Sequence, residues 1–427
     1  MKYIFEIGEE FAKKLDIEDP IREMRSRFYL NEDEIYMDGN SLGLMSKDAE
    51  KSLIRVSEEW KTMGINGWSK GKIPWFYYSR ELAKMMAPLV GAEPDELTIH
   101  SSTTVNIHSM ISTFFKANDK KNKILMDSLT FPTDRYAIES ELKLYGLDPE
   151  KYLVIIESKD GRTLEESEIV AKMADDIALI MLPSVFYRSG QLLDMKYLTK
   201  EAHKRGIIIG FDCCHSAGAI PHELSAWGVD FAIWCNYKYL NAGPGSPATI
   251  YINKKHFSKE PGLAGWFGYV QEKQFNLHNE FQSANNAGGW EIGTPHMLSM
   301  APLEGSLKIF SEVGIDKLRE KSLKLTAYMM HLIDNELSEY GFTIGNPRED
   351  GKRGGHVALE HDEAVRINAA LKDMGVVPDF RQPNVIRLAP VPLYVSYHDV
   401  WVLVEKLKMI MSGKTYEKYE NKRGLIA

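Results

Sequence analysis

Between about residue 50 and residue 255, short unbroken apolar runs alternate with longer charged segments of helical periodicity, and few folds accommodate that rhythm. A run that is apolar at every position is buried on both faces, as in a parallel sheet with crossover helices. The runs are 123–126, 153–156, 178–182, 207–211, 231–234 and 248–252, and the segment 195–205 reads as one crossover helix. Past Gly293-Thr294-Pro295 the texture changes. Leu303, Leu307 and Phe310, then Leu318 and Leu325, recur at helical spacing and precede short strands near 341–344, 356–359 and 384–389. The pattern predicts an α/β protein whose large domain has a mainly parallel sheet flanked by helices, followed by a smaller α+β C-terminal domain.

Composition narrows the functional classes. The 427 residues are 44% hydrophobic and 26% charged, which suits an ordinary folded protein with a sizeable core. Lys plus Arg number 52 against 60 Asp plus Glu, so the net charge of −8 would repel polyphosphate, and no nucleic-acid partner is expected. Three cysteines, Cys213, Cys214 and Cys235, give no disulfide framework and fit a reducing compartment. The opening residues are interrupted by charge every few positions, and no apolar stretch approaches the roughly 20 residues of a membrane helix. A cytoplasmic protein with no membrane partner is expected.

Parallel sheets bind ligands outside the carboxyl ends of their strands, so chemistry is sought just after the apolar runs. Asp212 follows one run, and the next leads into Cys235-Asn236-Tyr237-Lys238, which brings an acid and a lysine to one sheet edge. A lysine partly desolvated there can have its pKa lowered and act as a nucleophilic amine, while a nearby carboxylate can keep a pyridinium nitrogen protonated. Pyridoxal phosphate (PLP) needs both from a protein. Read alone, the two residues are equally a surface lysine and a strand-end aspartate. His215 falls three positions beyond Asp212, where a helical turn would bring it to the same side, or where it is simply packed. Cys213-Cys214-His215 lacks a second ligand cluster, so no metal site is expected. Thr103 and Thr104 precede a helical stretch, where hydroxyls and free amides can cup a phosphate or merely cap the helix. Phe131 and Asp134, after the 123–126 run, put an aromatic ring and an acid at the same edge.

Eight segments in register extend this reading. Asp38-Gly39-Asn40-Ser41, Thr103-Thr104-Val105-Asn106, Phe131-Pro132-Thr133-Asp134, Gly210-Phe211-Asp212, Trp227-Gly228-Val229-Asp230, Tyr237-Lys238-Tyr239-Leu240, Gly265-Trp266-Phe267-Gly268 and Arg387-Leu388-Ala389-Pro390 stand in the order seen in one family. The chain resembles the kynureninases, PLP-dependent enzymes of the aspartate aminotransferase fold (fold type I, class V-like), from residue 37 to about 400. The resemblance implies an N-terminal arm, 1–48, packing with the small domain, a large PLP-binding domain, 49–300, and a small domain, 301–427. It implies that Lys238 carries PLP as a Schiff base, Asp212 pairs with the pyridine nitrogen, and His215 lies beside it. Phe131 would stack on the ring with Asp134 close by, and Thr103, Thr104, Tyr237 and Trp266 would hold the phosphate. Trp266 and Thr294 would reach the site from a second subunit, so a homodimer is implied. Arg387 would grip the substrate's α-carboxylate, with Ser41 also at the substrate and Arg381 behind it.

The implied reaction is hydrolysis of L-kynurenine between Cβ and Cγ to anthranilate and L-alanine, a step of tryptophan catabolism in the kynurenine pathway that leads toward NAD biosynthesis. Lys238 would serve as base and Tyr237 as proton donor or as phosphate ligand only. Trp68 and the pair Gly293-Thr294 stand where relatives preferring 3-hydroxykynurenine carry His and a Ser-Asn pair, which implies preference for the unhydroxylated substrate. An indole offers no acceptor for an extra hydroxyl, and an unpaired polar group is costly to bury. The alternatives are a cysteine desulfurase or selenocysteine lyase, a catalytically silent protein of the same fold, and a nucleotide binder. No cysteine follows Cys235 to carry a persulfide, a silent relative has no reason to keep Lys238, Asp212 and Arg387 together, and phosphate-loop glycine motifs are missing.

Overall fold

All six apolar runs form strands, and a seventh, Leu97–Ile99, joins them in the computed structural model, which describes residues 3–422. The outermost residues of the expected arm and small domain therefore lie outside the described residues. In chain order the strands are β1 (Leu97–Ile99), β2 (Lys123–Asp127), β3 (Leu153–Ile156), β4 (Ile177–Pro183), β5 (Ile208–Asp212), β6 (Phe231–Trp234) and β7 (Thr249–Ile252). Their order across the sheet is β1-β7-β6-β5-β4-β2-β3. Six run in one direction, and only β7, between β1 and β6, runs antiparallel to its neighbours. An apolar run records burial on both faces and says nothing of direction.

Helices Thr103–Phe114 and Pro132–Leu144 close one face, where Ile107, Met110, Phe114, Ile138 and Leu142 pack on Met126, Leu179 and Ile233. On the other face Leu198 and Ala202 of helix Met195–Lys204 join Leu82 and Met86 over Ile209, Phe211 and Trp234. Burying a side chain of this kind contributes about 1.5–3 kcal/mol, so this double covering holds the strand ends in place. Helices Lys47–Met63 and Met297–Val313 lie against each other, and a Cβ on Gly305 would stand 2.1 Å from the Asp48 carbonyl oxygen.

The C-terminal part builds a second, antiparallel sheet from β8 (Thr343–Ile344), β9 (Val357–Glu360), β10 (Asp379–Arg381) and β11 (Val385–Leu388), in the order β10-β11-β9-β8. Helices Ile315–Glu336 and Tyr397–Ser412 pack together beside it. Helix Glu9–Glu18 lies along Tyr397–Ser412, and the Asp16 carboxylate accepts the backbone N–H groups of Tyr397 and His398, at 2.7 and 3.0 Å, at that helix's start. An anion there is favoured by the helix dipole. Ile35–Tyr36 pairs with Val376–Val377, and Gly43 N–H then donates to the Tyr237 carbonyl at 2.8 Å. Residues 9–43 thus run from the small sheet onto the turn that carries Lys238. Among the described residues, no helix is long and apolar enough to cross a membrane.

Candidate active site

Lys238 sits on the turn that leaves β6, and the turn is pinned from both sides. The Asn236 amide donates to the Pro247 carbonyl at 2.6 Å and accepts from the Thr249 hydroxyl at 3.0 Å. Gly43 passes so close that a Cβ would meet the Asn241 side-chain oxygen at 2.2 Å and the Lys238 carbonyl at 2.4 Å, which only glycine permits. The held turn aims the Lys238 Nζ at His215 Nε2, 3.1 Å away, and 5.9 Å from the centre of the Phe131 ring.

Asp212 ends β5, and one carboxylate oxygen accepts the Cys214 N–H at 2.7 Å while the chain turns to bring His215 over Lys238. Burial, with the Lys238 and Arg387 charges nearby, holds His215 well below the usual imidazole range, so it is neutral and its Nε2 accepts from the ammonium. Burial also draws Lys238 down, but Cys235, Cys214 and Asp212 outweigh it and hold the ammonium above the ordinary lysine value. This corrects the expectation of a lowered lysine. Desolvation acts as foreseen, and the acids gathered around the amine reverse its sign. Asp134, at the start of helix Pro132–Leu144, accepts from the Thr130 hydroxyl at 2.8 Å and is raised well above the carboxylate range by burial and by Asp212.

Helix Thr103–Phe114 opens beside this cluster, with the Ser102 hydroxyl capping it at the Val105 N–H. Ser101, Thr103, Thr104, Tyr237 and Ser246 line a cavity of about 460 Å3 at its N-terminus, and Thr104 and Thr133 share a hydroxyl hydrogen bond of 2.7 Å. Free helix N–H groups beside hydroxyls suit a phosphate. Cys235, with burial adding to it, pushes the Tyr237 phenol up, so it keeps its proton.

Arg387, on β11, is buried at 1% exposure and forms a salt bridge with Asp379 directly across the hairpin. It donates to the Tyr187 carbonyl and the Ser41 hydroxyl, each at 2.9 Å. The Tyr187 ring stands edge-on to Phe131 at 5.4 Å and 6.5 Å from His215, which joins the arginine to the lysine cluster. Arg381 reaches the same Asp379 at 2.9 Å.

Four expected residues lie apart from this group within one chain. Trp68 packs on Trp75 and Phe267 and lines a separate apolar cavity with Trp60, His296, Met297 and Leu298. Trp266 is 41% exposed and touches Phe275, while Gly293 and Thr294 are exposed. His296 lines both cavities, whereas Gly293 and Thr294 line neither. Tyr187, Thr133, Asp379 and His356, whose ring lies 6.2 Å from that of His215, went unnoticed in the sequence. Only Asp379 left a signal, because a hairpin turning at Gln382-Pro383-Asn384 puts it opposite Arg387.

The donor set fits PLP. His215 Nδ1 and Asp134 Oδ1 are buried without a partner, which is costly unless something polar comes to them. They flank a primary amine, a strand-end carboxylate and a hydroxyl-lined helix N-terminus. Among the described residues, no group of three or more His, Cys, Asp or Glu side chains could hold a metal ion.

The fold and this site define a PLP-dependent enzyme of fold type I. The fold matches that of a cysteine desulfurase from Thermococcus onnurineus NA1 at a TM-score of 0.78 and 18% identity, covering 92% of this chain and 98% of that one. It matches equally a C-DES mutant solved with glycine covalently linked to its PLP cofactor, at a TM-score of 0.78 and 14% identity, over 90% and 98%. At such identities the likeness extends to the fold alone. The sequence goes further. Kynureninases of Geobacillus thermodenitrificans and Bacillus anthracis are each 57% identical over 418 residues, 98% of both chains, and that of Shouchella clausii is 54% identical over the same span. Residues 318–407 match the family model described as the kynureninase C-terminal domain. The chain belongs to the kynureninase family.

Proposed function

We propose that the Lys238 cluster carries out the reaction of this family, the hydrolysis of L-kynurenine to anthranilate and L-alanine. The observation that carries the assignment is the meeting of Lys238 Nζ and His215 Nε2 at 3.1 Å, facing the Phe131 ring beside Asp212. Lys238, Asp212, His215, Phe131 and Asp134 would hold the ring of PLP, and Thr103, Thr104 and Tyr237 its phosphate. When bound, the cofactor supplies an aldehyde carbon for the substrate's amino group and a protonated pyridine that accepts electrons from Cα. Arg387 orients the substrate by its α-carboxylate, with the Ser41 hydroxyl beside it. Lys238, once its amine is free, takes the proton from Cα, and His215 is neutral and able to accept from it. Water adds to the γ-carbonyl, the Cβ–Cγ bond breaks, and Tyr237, still protonated, gives its proton to Cβ. One water is consumed, and its hydroxyl leaves in the anthranilate carboxyl group.

The protein acts as a homodimer with shared sites. Trp60, Ile65, Trp266, Phe275, Leu277 and Leu298 are all exposed; Trp266 meets Phe275, and Trp60 and Leu298 line one apolar cavity, surface that a second copy would cover. Trp266, Gly293 and Thr294 stand off the Lys238 cluster of their own chain, as residues serving the partner's site would. We assign residues 1–48 to an arm, 49–300 to a large domain and 301–427 to a small domain; the pairing of residues 9–38 with Val376–Val377, Ala389 and helix Tyr397–Ser412 supports the arm's place beside the small domain. The protein works in the cytoplasm, where three free cysteines stay reduced. Trp68, in its apolar cavity, favours kynurenine over 3-hydroxykynurenine. Assay of both substrates checks this: kcat/KM is expected to be at least about tenfold higher for kynurenine, and equal values would refute the preference.

A further inference from the structure

The guanidinium of Arg387 is almost fully engaged before any substrate arrives. Its Nε and one Nη2 N–H lie on Asp379, the other Nη2 N–H on the Ser41 hydroxyl, and one Nη1 N–H on the Tyr187 carbonyl. That leaves one Nη1 N–H free. Ser41 in turn hydrogen-bonds the buried Asp38 carboxyl. Asp379 is 1% exposed, Arg381 donates to the same carboxylate oxygen that Arg387 uses, and the antiparallel register of β10 and β11 sets Asp379 directly opposite Arg387.

We propose that Asp379 is the positioning residue for substrate recognition: it occupies the Nε–Nη2 edge of Arg387 and turns the outer Nη1–Nη2 edge toward the α-carboxylate. This rests on the assignment of Arg387 to that carboxylate. A guanidinium offers a carboxylate two edges that bind with paired parallel hydrogen bonds, side-on through Nε and Nη2, or end-on through the two Nη atoms. With the first taken, only end-on approach remains. The carboxylate then uses the free Nη1 N–H and takes over the Nη2 N–H that rests on Ser41, while the Asp379 salt bridge stays intact. Because Tyr187 supplies the carbonyl that anchors Nη1 and stacks its ring edge on Phe131, the edge so presented is fixed relative to the Lys238 cluster. A substrate held end-on there has its amino group delivered to one place.

The test compares L-kynurenine with its α-carboxamide on the PLP-loaded enzyme, in the wild type, Asp379→Asn, Asp379→Glu and Arg387→Gln. Misplacing the guanidinium should raise KM for L-kynurenine roughly ten- to hundredfold in Asp379→Asn, with kcat within about threefold. KM for the carboxamide should be unchanged between wild type and variant, because a neutral amide makes no end-on ion pair. Asp379→Glu keeps the charge and displaces it by one methylene, so it should show the same selective KM effect, and it carries the test if Asp379→Asn does not fold. Loss of kcat and KM in equal measure for both ligands, or unchanged KM for L-kynurenine in both Asp379 variants, would overturn the proposal. Unchanged KM for L-kynurenine in Arg387→Gln would instead remove the assignment of Arg387 on which it rests.

Discussion

Tyr237 can be separated into its two candidate roles by one atom. Its phenol stays protonated beside Cys235 and lines the hydroxyl-rich cavity, so Tyr237→Phe removes a proton donor while keeping the ring in place. Loss of a general acid commonly lowers rate by 10²–10⁴, and kcat is expected to fall by at least about a hundredfold with visible absorbance of the cofactor retained. A variant whose kcat is restored by excess PLP would mark Tyr237 as a phosphate ligand only. At this scale the sequence exposes residues that end apolar runs, because a strand that stops at Asp212 or leads into Lys238 announces its edge. It hides Tyr187, and it shows Asp379 only through the hairpin turn at Gln382-Pro383-Asn384. Tyr187 matters through a backbone carbonyl and a ring edge, neither of which a residue type records, and Asp379 is defined by register across a hairpin.

The elements were legible in proportion to their apolar length. Strands of four residues or more inside the large sheet show as unbroken runs, whereas Leu97–Ile99 spans only three residues and Asp379–Arg381 is charged at both ends. The close approach of helices Lys47–Met63 and Met297–Val313 was not legible either, since Gly305 in a helical stretch reads as a weak point rather than a contact. That contact makes a prediction about stability. Gly305→Val puts side-chain atoms where the Asp48 carbonyl lies, and overpacking of this kind costs about 1–3 kcal/mol or more. Urea denaturation should show a lower midpoint with unchanged slope. A midpoint equal to wild type would mean that the two helices are free to part.

For the whole molecule, buried acids tie stability to pH. Burial raises Glu291 from 4.5 to about 7, against hydrogen bonds from Thr98 and Ser79 that act the other way. The fold therefore favours its protonated form. The folded protein binds the extra proton between pH 4.5 and 7, so this group's contribution is best at low pH and declines as pH rises through 7. Glu291→Gln should be more stable relative to wild type at pH 8 than at pH 5, by up to about 3 kcal/mol, measured as a difference in unfolding free energies. A pH-independent difference would contradict this. The proposed sharing of sites gives a second prediction: Lys238→Ala and Trp266→Ala, each impaired alone, should regain activity when unfolded together and refolded, because a mixed dimer would have one site with both residues intact. No recovery would place Trp266 in its own chain's site. A monomer in sedimentation would refute the shared site outright.

The most direct measurement follows anthranilate fluorescence and alanine together after L-kynurenine is added to the PLP-loaded protein, with Lys238→Ala alongside. Equimolar anthranilate and alanine from the wild type, and none from the variant, are expected if Lys238 is the base that moves the Cα proton. Equal product from Lys238→Ala would take the chemistry away from the cluster at the end of β6.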